Sequence, residues 1–102
     1  MDSGSQESGI PRPRIVSGLD AATLEKFYPE DAEKRGVEGL VNVAVTLSTE
    51  GRATDAQILS ETPPDMGFGA AASSLAYSMT YSNPTGAAVV FRFAVRFDLK
   101  SA

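Results

Sequence analysis

The fold of this chain is decided by residues Tyr28–Gly39, which read YPEDAEKRGVEG. Pro29 suits the first position of a helix, because the backbone N–H that proline lacks would have no intrahelical partner there. Acidic residues follow at the positive end of the helix dipole, and a lysine and an arginine stand at its negative end. Gly36 then supplies the left-handed residue that ends many helices. These features predict a helix with both ends marked.

Two strands joined by a hairpin are predicted directly after this helix. From about Leu40 to Ser48, valines and leucine alternate with smaller or polar residues, which is the period of a half-buried strand. A second strand from about Ala53 to Ser60 follows the loop Thr49–Arg52, where Gly51 can take the positive φ of a short turn. The two strands should therefore pair antiparallel.

Three further elements complete the predicted domain. Asp20 suits the N-cap of a short helix that ends before Tyr28, because a residue that precedes proline is pushed out of the helical region. From Phe68 to about Tyr81, apolar residues recur at helical spacing and predict the second main helix. Val89–Leu99 alternates between apolar and mostly polar positions and predicts the last strand.

These elements predict an α+β domain of two layers, a three-stranded antiparallel sheet with two main helices packed on one face. The domain is expected to occupy residues 15–102. Residues 1–14 are rich in Ser, Gly and Pro and contain almost no apolar side chain, so they are expected to be a flexible lead-in, a spacer remnant or an addition. No apolar run approaches the roughly 20 residues that cross a bilayer.

The composition argues against most enzymes and against nucleic-acid binding. The chain has no cysteine, histidine or tryptophan, which removes thiolate and imidazole chemistry and the metal sites built on it. The net charge is -4 and the nine basic residues are scattered, whereas nucleic-acid binding needs clustered cations. No cofactor or metal ion is expected. The acidic residues near the first main helix are interpreted as helix-dipole and solvent-facing groups: Glu30, Asp31, Glu33 and Glu38.

The chain resembles one known family in several separate motifs. Tyr28–Val41 resembles the signature Tyr-Pro-x-x-Ala-x-x-x-Gly-x-x-Gly-x-Val that opens the C-terminal domain of TonB-family energy transducers. Gly51–Ala56 is similar to that family's Gly-x-Val-x-Asp-Val hairpin, and Phe68–Ala72 to its Leu-Asp-x-Ala-Ala helix start. Val95–Leu99 matches its closing strand. One departure is Met79-Thr80-Tyr81, which stands where the family commonly has Trp-x-Phe.

The resemblance implies a periplasmic domain that is tethered to the inner membrane by an upstream helix and a proline-rich spacer. Such domains grasp the TonB box, a short peptide near the N-terminus of an outer-membrane TonB-dependent transporter. They transmit a pull from inner-membrane motor proteins that use the proton-motive force. The function is then energy transduction for active uptake, without catalysis.

The last strand is the predicted peptide-binding edge. If the first predicted strand lies between the second and the last in the sheet, one side of the last strand is unpaired. That side can accept an extended peptide through its backbone groups. The residues of this edge are Val89, Val90, Phe91, Arg92, Phe93, Ala94, Val95, Arg96 and Phe97.

Three side chains near this edge have two possible roles each. Arg92 and Arg96 lie on the polar face, where they either remain solvated and keep the edge from aggregating or pair with acidic groups of a peptide. Tyr28 is a candidate for orienting the peptide through its hydroxyl, and packing beside the helix start is the simpler role.

Other functions also fit an exposed edge strand. A TolA-type adaptor or a paralogous envelope protein would use the same edge for a different ligand. A homodimer would form if the last strand paired with that of a second copy. A small hydrolase is disfavoured by the missing histidine and cysteine.

Overall fold

The computed structural model describes residues 11–99. Most of the expected lead-in lies outside them, so the division of the chain near residue 14 stays a prediction. No helix within residues 11–99 has the length and apolar character needed to cross a membrane. The elements in chain order are β1 (Arg14–Ser17), α1 (Ala21–Phe27), α2 (Glu30–Lys34), β2 (Gly39–Leu47), β3 (Ala53–Thr62), α3 (Phe68–Ser78), β4 (Thr80–Ser82) and β5 (Val89–Phe97).

The main sheet confirms the expected α+β fold. It has three antiparallel strands in the order β3-β2-β5. Strand β2 lies in the centre because its valines are buried on the helix side and its backbone groups pair on both sides. The register with β5 runs without interruption from Gly39 opposite Phe97 to Leu47 opposite Val89.

The core lies between the inner face of this sheet and α3. The alanines of α3 let the helix approach the sheet closely, and Gly39 does the same from the sheet side. A Cβ on Gly39 would stand only 2.5 Å from the Phe68 ring. The fully buried side chains that fill the core are Ala32, Val41, Val43, Val45, Leu47, Phe68, Ala72, Leu75, Ala76, Val95 and Phe97.

The helices before and after Tyr28 form as predicted, except that α2 begins one residue later than expected. Asp20 caps α1 by accepting a hydrogen bond from the Thr23 amide at 2.9 Å, and Tyr28 is extended, as expected. Pro29 is the N-cap of α2 and not its first helical residue, because its backbone is also extended. Gly36 ends this stretch with φ +70°. The predicted first main helix is thus a single turn of five residues.

Two short strands were not predicted. Helix α3 ends at Ser78 instead of continuing to Tyr81, and the chain then forms β4, which pairs antiparallel with β1. Tyr81 explains the early end of the helix. Its side chain is 4% exposed and its hydroxyl donates a hydrogen bond of 2.7 Å to the Ala76 carbonyl, a placement that requires extended backbone after Ser78.

Candidate peptide-binding edge

Strand β5 has one unpaired side. All nine of its residues have partners on β2, and no other strand within residues 11–99 pairs with it. The structure therefore brings the whole predicted set, Val89–Phe97, together in one continuous strand at the border of the sheet. An unpaired border of this kind presents N–H and C=O groups to an incoming strand.

The opposite border of the sheet, β3, is less suited to accept a strand. Its register with β2 shifts twice, between Asn42 and Val43 and between Thr46 and Leu47. Bulges bend a strand and increase its twist, which is one way in which proteins protect a sheet border from pairing. The register of β5 shows no such shift. Of the two borders, β5 thus offers the longer regular stretch to an extended peptide.

The outward side chains of β5 are solvated. Arg92 lies opposite Ala44 and Arg96 lies opposite Leu40 on the outer face of the sheet, and both arginines are exposed. The only ion pair among residues 11–99 joins Lys34 and Glu30 at 3.5 Å. Within residues 11–99, neither arginine forms an ion pair with a carboxylate. This fits both predicted roles, protection of the border from aggregation and pairing with acidic groups of a peptide.

The inward side chains of β5 are anchored by two different groups. Val95 and Phe97 are fully buried beneath the helices, whereas Phe91 and Phe93 are only partly buried. The two phenylalanines stack with ring centroids 5.8 Å apart, and Tyr81 of β4 packs on both at 6.2 Å. Because side chains anchor the strand along its length, its free border is held in a fixed, extended shape.

Tyr28 lies at the end of this border with its hydroxyl already engaged. The hydroxyl donates a hydrogen bond of 2.6 Å to the Val37 carbonyl, and the ring packs edge-on against Phe68 and Phe97 at 5.8 and 5.6 Å. Burial, and then the charges of nearby carboxylates, raise the pKa of Tyr28. The structure thus gives Tyr28 a packing role beneath the end of β5, and a direct contact with a peptide stays a prediction.

Two features at the end of β5 were missed by the sequence reading. The Glu38 carboxylate accepts a hydrogen bond of 2.8 Å from the Leu99 amide, which holds the chain just beyond the strand. Beside it, a groove of about 320 Å³ separates α1 from the end of β5. Residues 61 to 78 positions apart in the sequence meet here, so local spacing carries no signal for either feature.

Candidate metal ligands are not brought together. Among residues 11–99 there is no group of three or more acidic, histidine or cysteine side chains that could hold a metal ion. The acidic residues at the start of α2 are exposed, and Glu30 forms the ion pair with Lys34 one turn later. Their geometry fits the helix-dipole role that the sequence indicates.

Two solved structures are similar to this fold along most of the chain. The solution NMR structure of the Pseudomonas aeruginosa TonB C-terminal domain has a TM-score of 0.60 and 23% sequence identity, and the match covers 89% of this chain and 88% of that chain. The NMR structure of the Helicobacter pylori TonB C-terminal domain has a TM-score of 0.52 and 23% identity, with 85% and 87% covered. No curated protein matches the sequence. At these identities the likeness shows a shared fold.

The sequence itself shows the family. The family model described as Gram-negative bacterial TonB protein C-terminal matches residues 19–99, which confirms the resemblance carried by Tyr28–Val41. Domains of this family have a TonB-like energy-transducer role in the periplasm, are not enzymes, and interact with TonB-dependent transporters. This chain therefore belongs to the family of TonB C-terminal domains of Gram-negative bacteria.

Proposed function

We propose that this domain captures the TonB box of an outer-membrane TonB-dependent transporter by adding it as a fourth strand along β5. In the full-length protein, an N-terminal part tethers the domain to the inner membrane and couples it to the motor proteins that use the proton-motive force. The observation that carries the proposal is the regular, unpaired border of β5. Strand addition uses main-chain groups, so it requires no reactive side chain.

The expected affinity is moderate. An added strand forms roughly four to six backbone hydrogen bonds, and each contributes about 0.5–1.5 kcal/mol net. Ordering a disordered peptide and losing its free rotation offset much of this gain. The hydrogen bonds supply roughly 2–9 kcal/mol before these offsets, and 1 μM corresponds to about -8 kcal/mol, so the expected dissociation constant is micromolar or weaker.

Force transmission requires a connection that resists a pull for longer than its affinity suggests. A load directed along an added strand shears several hydrogen bonds at once, whereas a load across the strand breaks them one after another. The packing of Val95 and Phe97 in the core prevents β5 from following the peptide outward. Single-molecule pulling on a bound peptide should give a clear rupture force, and rupture at negligible force would exclude force transmission through β5.

An NMR titration tests the capture step. The peptides are seven-residue TonB boxes of TonB-dependent transporters from the same genome, added to the ¹⁵N-labelled protein. We expect the largest amide shifts within Val89–Phe97, and shifts confined to β3 or no shifts would contradict the proposal. As a control, each peptide is N-methylated at either its odd or its even residues. Only one of the two versions should lose binding, because an added strand turns alternate N–H groups toward β5.

The same unpaired border also supports a second candidate, a homodimer in which β5 pairs with β5 of another copy. Sedimentation equilibrium at increasing concentration distinguishes the two. A monomer that binds TonB boxes supports capture. A dimer that dissociates as the peptide is added means that both partners use the same border, and a monomer that binds no TonB box favours an adaptor of the TolA type with another ligand.

A further inference from the structure

The groove at the end of β5 lies on the side from which a peptide would arrive. It is lined by residues of α1, Tyr28 and the end of β5, and no residue of β2 or β3 contributes to it. The lining combines Arg96, on the outer face of the sheet, with Tyr28, which packs on the inner-face rings of Phe68 and Phe97, so the groove lies at a border of β5. Since β2 occupies one border of β5, the groove lies at the other, unpaired border. A peptide added along β5 would pass its mouth.

The groove has an apolar base and an acidic rim. Leu24, Tyr28 and Leu99 are partly buried and line the base. Three carboxylates stand around it, Glu25 from α1, Glu33 from α2 and Asp98 after β5. The one positive group of the lining is the Arg96 guanidinium.

The carboxylates around this groove are not neutralised by ion pairs. None of the three takes part in an ion pair among residues 11–99. Burial first, and then the charges of Glu38, Asp98 and Glu33, raise the pKa of the Tyr28 hydroxyl. The groove is therefore shaped for a side chain with an apolar stem and a positive end.

We propose that this groove receives a lysine or arginine side chain of the peptide that is added along β5. The methylene stem lies against Leu24 and Tyr28, and the charged end reaches the carboxylates of Glu25 and Glu33. The inference rests on the proposed function, because the peptide backbone on β5 delivers the side chain. An acidic residue at the same place is repelled by the rim.

A charged side chain in this groove would determine the register of the peptide. Main-chain pairing alone permits several registers, since a shift by two residues preserves every hydrogen bond except those at the ends. One basic residue in the groove selects a single register. The domain would thus prefer peptides with a lysine or arginine at one defined distance from the segment that pairs with β5.

A guest-residue scan tests this preference. The probe is a nine-residue peptide of alternating valine and threonine, acetylated and amidated, in which lysine, norleucine or glutamate replaces one residue at a time. Norleucine has a similar stem without the charge. At one guest position we expect lysine to bind about 1.5- to fivefold tighter than norleucine, the range for solvent-exposed ion pairs. Glutamate should bind more weakly than norleucine at that position.

Three outcomes separate the two proposals. If the norleucine peptides shift the β5 amides and lysine, norleucine and glutamate bind alike at every position, the groove proposal is wrong and strand addition stands. If no peptide shifts the β5 amides, strand addition fails and the groove proposal fails with it. A lysine preference at a single position supports both.

Matched variants locate the preference. The double substitution Glu25→Gln and Glu33→Gln removes two charges from exposed helix positions and keeps the size of both side chains, so lysine and norleucine should then bind alike. Glu50→Gln, in the β2–β3 turn, is the control and should leave the preference intact. If the double variant retains the full preference, the groove is not the site of the basic residue.

Discussion

The Glu38 carboxylate and the Leu99 amide are joined by a hydrogen bond of 2.8 Å across the end of the sheet. Gly39, next to Glu38, is the first residue of β2 and pairs with Phe97, the last residue of β5. Beyond this pair β2 offers no further backbone partner, and the Glu38 side chain takes its place. This bond therefore extends the fixed part of the β5 border by two residues, up to the groove beside α1.

Replacing Glu38 tests whether its side chain holds the end of the border. Glu38→Ala should release the Leu99 amide, and hydrogen exchange at Leu99 should become faster by about one order of magnitude, which corresponds to about 1.4 kcal/mol. Glu38→Gln keeps an acceptor oxygen and should retain most of the protection. Equal exchange in the alanine variant and the unchanged protein would show that the bond is not formed in solution.

The contact between Gly39 and Phe68 gives a second prediction. A methyl group on Gly39 would overlap the Phe68 ring, which is fully buried and has no room to retreat. Gly39→Ala should lower the free energy of unfolding by about 1–3 kcal/mol, as overpacked cores do, measured by urea denaturation.

A double-mutant cycle separates the overlap from a general effect of the added methyl group. Phe68→Leu makes space at the same place, so Gly39→Ala should cost less in that background. If the two substitutions were additive, the loss of stability would have another origin. Gly36 is no suitable comparison, because its positive φ of 70° penalises alanine even though nothing stands within 4 Å of the added Cβ.

Periodicity explains which elements were predictable. The alternation in β2 and β5 covers nine residues in each strand, which is long enough to show a period of two. The starts of α1 and α2 were predictable from single residue types, Asp20 and Pro29. Strands β1 and β4 have four and three residues, too few for any period. The sequence predicts that α3 continues to about Tyr81, and only the burial of Tyr81 and its bond to Ala76 show why this residue leaves the helix.

The candidate site was predictable only as far as it follows from the order of the strands. Once β5 is a strand that pairs with β2, its other side is unpaired, and the predicted residues are those of that side. The groove depends instead on the packing of α1 beside the end of β5, which places Glu25 and Asp98 around the same groove. The hydrogen bond of the Tyr28 hydroxyl was not predictable either, since nothing in the sequence indicates that the Val37 carbonyl would accept it.

Tyr81 predicts how stability depends on alkaline pH. Burial raises the pKa of its hydroxyl to about 12, so the folded protein keeps the proton after the unfolded chain, with a value near 10, has lost it. The unfolded state then binds fewer protons, and stability falls as the pH rises from about 10 through 12. The contribution is fully present below pH 10.

Urea denaturation at several pH values between 9 and 12 checks this dependence. Tyr81→Phe should lose about 0.5–1.5 kcal/mol at neutral pH, because the bond to Ala76 is gone, and should show a shallower decline above pH 10. Tyr28 has a raised pKa as well, so some decline should persist. An identical slope in both proteins would mean that the Tyr81 hydroxyl is not protected by the fold.

Arg92 and Arg96 provide the last prediction, which separates protection of the border from recognition of a partner. Both are exposed on the strand with the unpaired side, where charge opposes the approach of another copy. The double substitution to threonine keeps a good strand former and removes both charges, so we expect self-association to increase at concentrations where the unchanged protein is monomeric, as measured by sedimentation velocity. Double substitution to lysine keeps the charge and should behave like the original. If the threonine variant remains monomeric and only its affinity for acidic peptides falls, the arginines serve recognition and not protection of the border.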